Sequence, residues 1–290
     1  MDVTLENKDL VVKVRSKGAE LFSVFNRDTG LDYMWGGDPA FWGKTSPVLF
    51  PIVGTLKDDK FIFEGNGYAL SRHGFARDAS FEVTTLADDK ARFTLKSDEG
   101  SLKKYPFSFS LAIVYSLKDN FLHVEYSVEN NGTGDMYFSL GAHPAFKVPL
   151  MEATRYEDYY LEFNIKETAS RWPISTKGLI EEKPIPFLNH SDRIALSKKL
   201  FFDDAIVLKH LSSNCISLKS AAHSHGLDFY YDGFPYIGLW AAPNADFVCI
   251  EPWCGIADSV NHDQNFTTKE GIEKIGPASS WSRMWKVRFY

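Results

Sequence analysis

Cysteine is scarce in this 290-residue sequence. The three that occur are an odd number, and they lack the regular paired spacing of a disulfide framework. Reduced thiols in a cytoplasmic protein are therefore the expected state. These cysteines are Cys215, Cys249 and Cys254.

Long apolar runs and clusters of positive charge are also missing. No segment approaches the ~18 consecutive apolar residues that a membrane span requires. The opening segment, MDVTLENKDLVVKV, lacks the basic and then apolar stretches of a secretory signal. The net charge is −6, without a block of lysine and arginine, which argues against nucleic acid or an anionic membrane as a partner. We predict a cytoplasmic protein and leave its oligomeric state open.

Motifs for common cofactors and metals are absent as well. The sequence contains no G-x-G-x-x-G after a strand, no P-loop, no G-x-S-x-G and no H-E-x-x-H. His223 and His225 have H-x-H spacing, but no third ligand is evident. Cys249 and Cys254 lack the second pair or nearby histidine that a zinc site would need. We therefore predict neither a metal nor an organic cofactor.

What the sequence has in abundance is alternation of apolar and polar residues. The runs FSFSLAIVYSL and LHVEYSV have a period of two and are separated by a turn-like KDNF, which predicts a long antiparallel hairpin. No amphipathic helix of three turns is evident, and residues 152–189 are irregular enough to predict long loops. Further short strands are predicted at Leu10–Val14, Phe61–Phe63, Phe81–Val83, Arg92–Leu95, Tyr160–Phe163, Ile206–Leu208, Ile237–Trp240 and Phe247–Glu251.

These strands, separated by turns rich in glycine and asparagine, predict an all-β fold. Aromatic residues make up 15% of the chain and hydrophobic residues 44%, which suits a protein with many rings packed on sheets. The predicted architecture is one large antiparallel β-sandwich domain spanning residues 1–290. One concave, solvated sheet face would suit a small polar ligand.

The first candidate site residue is His143, which follows the segment MYFSLGA. Alternation places Met136, Phe138 and Leu140 toward the core and His143 on the opposite, polar face. Pro144 favours extended geometry at His143 and interrupts the ladder. The residues alone leave two alternatives open: a histidine directed at a ligand, or a surface histidine at a strand end.

The second candidate is Glu251, in the segment FVCIEPW. It shares a strand face with Phe247 and Cys249, and Pro252 is expected to end the strand. A carboxylate between apolar neighbours should be partly desolvated, which raises its pKa toward that of a useful base. An ordinary ion pair with an arginine is the alternative.

Two further polar segments are candidates for binding. SRHGFARD holds Arg72, His73 and Arg77, which could bind hydroxyls or a phosphate, or could form a solvated turn. In FFDDAIVL, Asp203 or Asp204 precedes a strand and could accept hydrogen bonds from sugar hydroxyls, or could be a turn residue. Several tryptophans could offer a stacking surface for a sugar: Trp42, Trp240 and Trp253.

Together these segments resemble the aldose 1-epimerase (galactose mutarotase) superfamily, in particular the bacterial mutarotase-related proteins of sugar-utilisation operons. The resemblance rests on SPVLFPIVGTLKDDKFIFEGNGYALSRHGFARD, SLGAHPAF, FDDAIVL and FVCIEPWCGIADS, in this order. It covers nearly the whole chain. It implies a galactose mutarotase-like supersandwich and interconversion of the α and β anomers of an aldose.

The resemblance also implies roles for individual residues. His143 matches the general acid and Glu251 the general base, and His73 matches a histidine that binds the sugar near its ring oxygen. The hydroxyl-binding carboxylate matches the aspartate in FDDAIVL, and Asp204 is preferred to Asp203. Arg72 is assigned to substrate binding with them.

One departure from the family pattern concerns an arginine. Typical galactose mutarotases carry an Asn-Arg pair in the segment that corresponds to GTLKDDK, whereas here Gly54 is followed by Thr55. The resemblance to hexose-6-phosphate epimerases suggests that Arg77 supplies the cation. Three hypotheses remain open: an aldose 1-epimerase, a hexose-6-phosphate 1-epimerase, and a noncatalytic sugar-binding or sensing protein. A glycoside-processing enzyme is disfavoured because it would need a second carboxylate.

Overall fold

Alternating residues form strands along most of the chain, as expected for an all-β protein. The computed structural model describes residues 2–290. The first twelve strands are β1 (Asp2–Glu6), β2 (Leu10–Arg15), β3 (Glu20–Asn26), β4 (Leu31–Asp32), β5 (Val48–Leu49), β6 (Lys60–Phe63), β7 (Asn66–Ala69), β8 (Glu82–Ala87), β9 (Lys90–Lys96), β10 (Phe109–Lys118), β11 (Phe121–Asn130) and β12 (Met136–Phe138).

The second half of the chain continues in the same way. Its strands are β13 (Leu140–Ala142), β14 (Ala145–Lys147), β15 (Tyr159–Arg171), β16 (Ile185–Ala195), β17 (Ile206–Lys209), β18 (Cys215–Ser220), β19 (Leu227–Tyr230), β20 (Tyr236–Trp240), β21 (Phe247–Cys254), β22 (Glu273–Ile275) and β23 (Ser280–Phe289).

Helical structure is limited to single turns. The α-helix α1 (Glu99–Leu102) begins at Asp98, whose side chain accepts a hydrogen bond from the Ser101 N–H. None of the helices in residues 2–290 is long and apolar enough to cross a membrane. Short 3-10 helices occupy Lys57–Asp59, Ala76–Asp78, Tyr156–Asp158, Lys198–Phe201 and Phe266–Thr268.

The strands assemble into three principal antiparallel sheets. One sheet has four strands in the order β1-β2-β3-β4, and a second has nine in the order β16-β15-β18-β19-β23-β11-β10-β9-β8. The third has the order β17-β20-β21-β13-β5, and β14 also pairs with β21. This architecture confirms the prediction of a large antiparallel β-sandwich.

The predicted long hairpin is confirmed in register. β10 and β11 pair from Phe109 with Asn130 to Lys118 with Phe121, which leaves a two-residue turn. Burial alternates along all of β11 and along the second half of β10, whereas Phe109–Ile113 of β10 are all buried. Period-two patterning therefore located this hairpin because one face of each strand lies in the core.

The prediction of long loops over residues 152–189 is wrong for about half of this region. Eighteen of its 38 residues belong to β15 and β16, which pair with each other over much of their length. The pairing shifts register at three places, and each shift interrupts the alternation of side chains. Irregular patterning here therefore reflects bulged strands at the edge of the large sheet.

The prediction that Pro252 ends its strand is also wrong. β21 continues to Cys254, and Pro252 lies opposite Ile237 of β20. Pro144, in contrast, lies between β13 and β14 and interrupts the chain as expected. The strand before it is less regular than expected, because Ser139 separates β12 from β13 and donates its N–H to the carbonyl of Pro51 at 2.8 Å.

The six-stranded sheet separates the main core from a second apolar cluster. Ile237 and Leu239 of β20 belong to the main core, which also includes residues of the four- and nine-stranded sheets. Tyr236 and Trp253 belong to the smaller cluster together with Val207. Because side chains alternate along a strand, this second face is the one that is free to line a cavity.

Candidate active site

A cavity of about 810 Å³ lies on this second face of the six-stranded sheet. The strands contribute Val207 from β17, Trp240 from β20, and Glu251 and Trp253 from β21. Small-molecule sites typically occupy about 300–1,000 Å³. The cavity is therefore large enough for a monosaccharide.

Sheet register places His143 opposite Glu251. Gly141 pairs with Trp253, and Ala145 pairs with Cys249. Residue 143 lies midway between residues 141 and 145, and residue 251 lies midway between residues 253 and 249. Residues 143 and 251 therefore face each other. His143 Nε2 accordingly lies 3.3 Å from Glu251 Oε2.

Both members of this pair are buried and incompletely hydrogen-bonded. His143 is 9% exposed and Glu251 1% exposed. His143 Nδ1 and Glu251 Oε2 have no hydrogen-bond partner within the described chain. Because unpaired buried polar atoms are costly, they mark a position where a ligand can supply the missing bonds.

Burial also shifts the protonation of the pair. Loss of solvation raises the pKa of Glu251 well above its ordinary value, an effect that the Arg72 charge opposes and Asp204 reinforces. Loss of solvation, together with the smaller effects of the Arg72 and Arg77 charges, lowers the pKa of His143 to about 3. Burial thus favours the neutral form of each group.

Aromatic rings fix the orientation of His143. Trp42 stacks on its imidazole with centroids 4.9 Å apart and planes 29° apart. Trp240 meets the same ring edge-on, at 5.5 Å and 86°. Contacts of these geometries are favourable between aromatic rings, so the imidazole plane is held between two indoles.

His73 lies beside the pair, with its ring centroid 5.9 Å from that of His143. The Gly54 N–H approaches His73 Nδ1 at 3.1 Å, and Arg72 Nε approaches Nε2 at 3.3 Å. Burial lowers the pKa of His73 well below its ordinary value. A neutral imidazole has one acceptor nitrogen, so only one of these contacts can be a full hydrogen bond.

The charged residues predicted for binding also line the cavity. Arg72 Nη2 lies 3.6 Å from Asp204 Oδ1. Asp204 is partly buried, whereas Asp203 is exposed, although both line the cavity. Arg77 lines the cavity too, and its Nε is buried without a hydrogen bond.

The structure thus brings six predicted residues around one cavity: Arg72, His73, Arg77, His143, Asp204 and Glu251. Part of the lining was not predicted. Ser175, Thr176 and Gly178 come from the connection between β15 and β16. Their segment carries no motif, so only its position in the fold reveals it.

A group of three potential metal ligands occurs at the same position. Atoms of His143, Cys249 and Glu251 lie within 4.8 Å of one another. Burial raises the pKa of the Cys249 thiol well above its ordinary value, and a thiol must lose its proton to bind a metal. The other pair considered, His223 and His225, is occupied differently, since the His223 ring lies 2.8 Å from the Tyr159 hydroxyl.

Comparison with known proteins identifies the family of this chain. The family model for aldose 1-epimerase matches residues 1–272. The chromosomal LacX protein of Lactococcus lactis subsp. lactis is 32% identical over 296 residues, covering 99% of both chains.

Solved structures agree in fold. A galactose mutarotase related enzyme from Lactobacillus acidophilus is 34% identical and has a TM-score of 0.94, over 100% of this chain and 97% of that one. A galactose mutarotase-like protein from Lactobacillus casei is 30% identical with a TM-score of 0.94, over 100% of both chains. The galactose mutarotase-like fold and the match to the family model together show that this chain belongs to the aldose 1-epimerase family.

Proposed function

We propose that the protein is an aldose 1-epimerase that interconverts the α and β anomers of a hexose. The observation that carries this proposal is the buried contact of 3.3 Å between His143 Nε2 and Glu251 Oε2 beside the cavity. General acids and bases act over about 2.6–3.2 Å once the substrate is bound. Membership of the family supports the class of reaction.

The reaction would proceed by opening and closing the sugar ring. Glu251 accepts the proton of the C1 hydroxyl while His143 donates a proton to the ring oxygen, and the bond between C1 and the ring oxygen breaks. Rotation about the C1–C2 bond exposes the other face of the aldehyde. Closure with the roles reversed restores both protons, and each positioned transfer contributes roughly 10²–10⁴-fold.

The pair supplies the proton that this cycle needs. Burial favours a protonated Glu251 and a neutral His143. The two groups are in direct contact, so the proton can pass to His143 when sugar hydroxyls solvate the carboxylate. The Arg72 charge lowers the pKa of Glu251 and so favours the ionised carboxylate, although it also lowers the pKa of His143.

The remaining polar groups are suited to holding the hydroxyls of the sugar. Asp204 accepts hydrogen bonds, Arg72 donates them, and His73 can exchange its contact with Arg72 for one with the substrate. Acid–base chemistry of this kind needs no metal or organic cofactor. A cytoplasmic location is proposed as well, supported by three free, buried cysteines.

A phosphorylated hexose is the second candidate substrate. Arg72 and Arg77 both line the cavity, and guanidinium groups bind phosphate oxygens in a bidentate manner. Arg77 Nε has no hydrogen-bond partner among the described residues, and its 3.7 Å contact with the exposed Asp78 Oδ2 is one that a phosphate could replace. This observation supports a hexose 6-phosphate as the second candidate.

Equilibration of pure anomers tests the function. Polarimetry or NMR exchange measurements with α-glucose, α-galactose and glucose 6-phosphate should show faster equilibration than buffer alone. Calorimetric binding of a sugar without any acceleration would instead identify a noncatalytic sugar-binding protein. Acceleration of no sugar would contradict the proposal.

An arginine variant distinguishes the two substrate classes. Arg77→Ala should lower kcat/KM for glucose 6-phosphate by about tenfold or more, because a lost charged hydrogen bond costs about 1.5–3 kcal/mol. The rate with unphosphorylated glucose should change little. Equal losses for both sugars would contradict a role of Arg77 in binding phosphate.

A further inference from the structure

Trp253 lies flat across the sheet beneath the cavity. It follows Glu251 by two residues on β21, so the two side chains share a face. A Cβ atom added to Gly141 would lie 2.6 Å from Trp253 Cδ1, and one added to Gly238 would lie 2.3 Å from Cζ2. Both neighbouring strands therefore carry glycine where the indole crosses them.

These two contacts fix the position of the ring edge that carries the indole N–H. Cδ1 and the Cε2–Cζ2 bond flank the indole nitrogen, and each end of this edge rests on a glycine. A side chain at either glycine would displace the ring. The backbone of β13 and β20 thus holds the N–H edge at a fixed position on the face that carries Glu251.

The indole N–H itself has no partner. Trp253 is 6% exposed, and its Nε1 forms no hydrogen bond within the described residues. Glu251 Oε2 is likewise buried and unpartnered, and Trp253 lies close enough as a donor to lower the pKa of Glu251. An indole nitrogen can only donate and an ionised carboxylate can only accept, so the two unsatisfied groups are complementary.

We propose that Trp253 is a positioning residue whose indole N–H donates a hydrogen bond to the ionised carboxylate of Glu251 and holds it as the base. This inference deepens the proposed function and rests on it. In this structure Nε1 and Oε2 do not meet the geometry of a full hydrogen bond, and Oε2 lies 3.3 Å from His143 Nε2. When the proton passes to His143, the carboxylate gains the Trp253 donor.

Loss of the Trp253 donor should shift the pH profile of the reaction, whichever of His143 and Glu251 carries the shared proton. His143 and Glu251 titrate as a pair, and the sum of their two macroscopic pKa values compares only the doubly protonated with the doubly deprotonated state. Loss of a donor to the carboxylate destabilises only the latter state. The midpoint of a bell-shaped profile must then move to higher pH.

Other charged groups that face Glu251 stay in place when Trp253 is changed. The Arg72 charge lowers the pKa of Glu251 and Asp204 raises it. His143 lies in contact with it, and the Cys249 thiol shares its strand face. A shift caused by Trp253→Phe can therefore be assigned to the lost N–H.

The test is the pH profile of kcat/KM for anomer equilibration. Trp253→Phe keeps an aromatic ring but removes the N–H, and should raise the midpoint by about 0.5–1 pH unit, since bonds to charged groups contribute about 1.5–3 kcal/mol. Trp281→Phe is the matched control, because Trp281 Nε1 is also buried and unpartnered but lies outside the cavity lining. An unchanged midpoint in Trp253→Phe would overturn the inference.

A second variant separates the N–H from the packing of the ring. Replacement of Trp253 by β-(3-benzothienyl)alanine keeps the bicyclic shape and removes only the donor, and should give the same shift. The infrared carboxyl band of Glu251, identified by its loss in Glu251→Gln, reports the same titration without activity. An inactive wild type would refute the proposed function, whereas an active wild type with unshifted variants would refute only the role of Trp253.

Discussion

At the scale of single residues, the site requires the fold to bury groups that prefer water. Glu251 lies in the middle of an otherwise apolar strand, where every residue from Phe247 to Cys254 is buried. Oε2 of its carboxylate has no hydrogen-bond donor that would compensate for the loss of solvent. The proposed catalytic residue should therefore reduce the stability of the protein.

Glu251→Gln is predicted to stabilise the fold at neutral pH. The pKa of Glu251 is raised in the folded state, so the unfolded chain loses this proton first. The wild type thus loses stability as pH rises above the unfolded pKa of about 4.3, by about 1.4 kcal/mol for each pH unit until the folded pKa is reached. Thermal melts should show a higher Tm for the variant at pH 7 and equal Tm values below about pH 4.

A matched control is another buried glutamate that does have partners. The Glu20 carboxylate accepts hydrogen bonds from the Thr45 N–H at 2.6 Å and the Ser46 N–H at 3.2 Å. Glu20→Gln weakens these charge-assisted bonds and should lower Tm. A lower Tm for Glu251→Gln at pH 7 would contradict the electrostatic account of the site.

At the scale of elements, a buried ion pair fixes the segment that follows β21. Lys269 Nζ lies 2.8 Å from Asp258 Oδ1, and both side chains are fully buried. Asp258 also accepts the N–H of Lys57 and donates its own to the carbonyl of Thr55. These contacts join the segment that follows β21 to the segment after Gly54. The Gly54 N–H in turn contacts the His73 ring.

Lys269→Met is predicted to destabilise the protein by about 3–5 kcal/mol, because it leaves the Asp258 carboxylate buried without its charge partner. Urea unfolding measures the loss. The control is Lys274→Met, whose partner Asp135 is exposed on the surface and which should cost less than about 1 kcal/mol. Equal losses in the two variants would contradict the structural role of the buried pair.

The strands that could be predicted from the sequence are those that pair in a regular register. The β10–β11 hairpin has an unbroken register, and burial alternates along all of β11, so its sequence predicts it. β15 and β16 contain three register shifts, and three quarters of their residues are partly buried or exposed. The sequence predicts only the regular start of β15, at Tyr160–Phe163, because the rest of the two strands has neither strict alternation nor a continuous apolar run.

At the scale of the whole molecule, the cavity depends on pairings between distant segments. His143 faces Glu251 only because β13 and β14 both pair with β21 around the Pro144 interruption. The sequence predicted each residue at a strand position followed by proline, but not their direct opposition. The positions of two segments in the sequence do not determine which of their residues face each other, because the register is set only when the segments pair in the sheet.

The contacts of the tryptophans in the site could likewise not be predicted from the sequence. Trp42, Trp240 and Trp253 could be named from the sequence as candidates for stacking on a sugar. The structure instead places Trp42 and Trp240 against His143, and Trp253 flat between two glycines. These contacts join segments that lie far apart in the chain, so residue type alone could not assign them.

The central claim is that His143 and Glu251 act together on the anomeric centre. Its most direct test is the rate of anomer equilibration, measured by NMR exchange with the preferred hexose, for the wild type, His143→Asn and Glu251→Gln, with His123→Asn as a control on the remote strand β11. The account predicts at least about a hundredfold loss for each site variant, with folding intact and the control unaffected. Site variants that equilibrate anomers as fast as the wild type would contradict it.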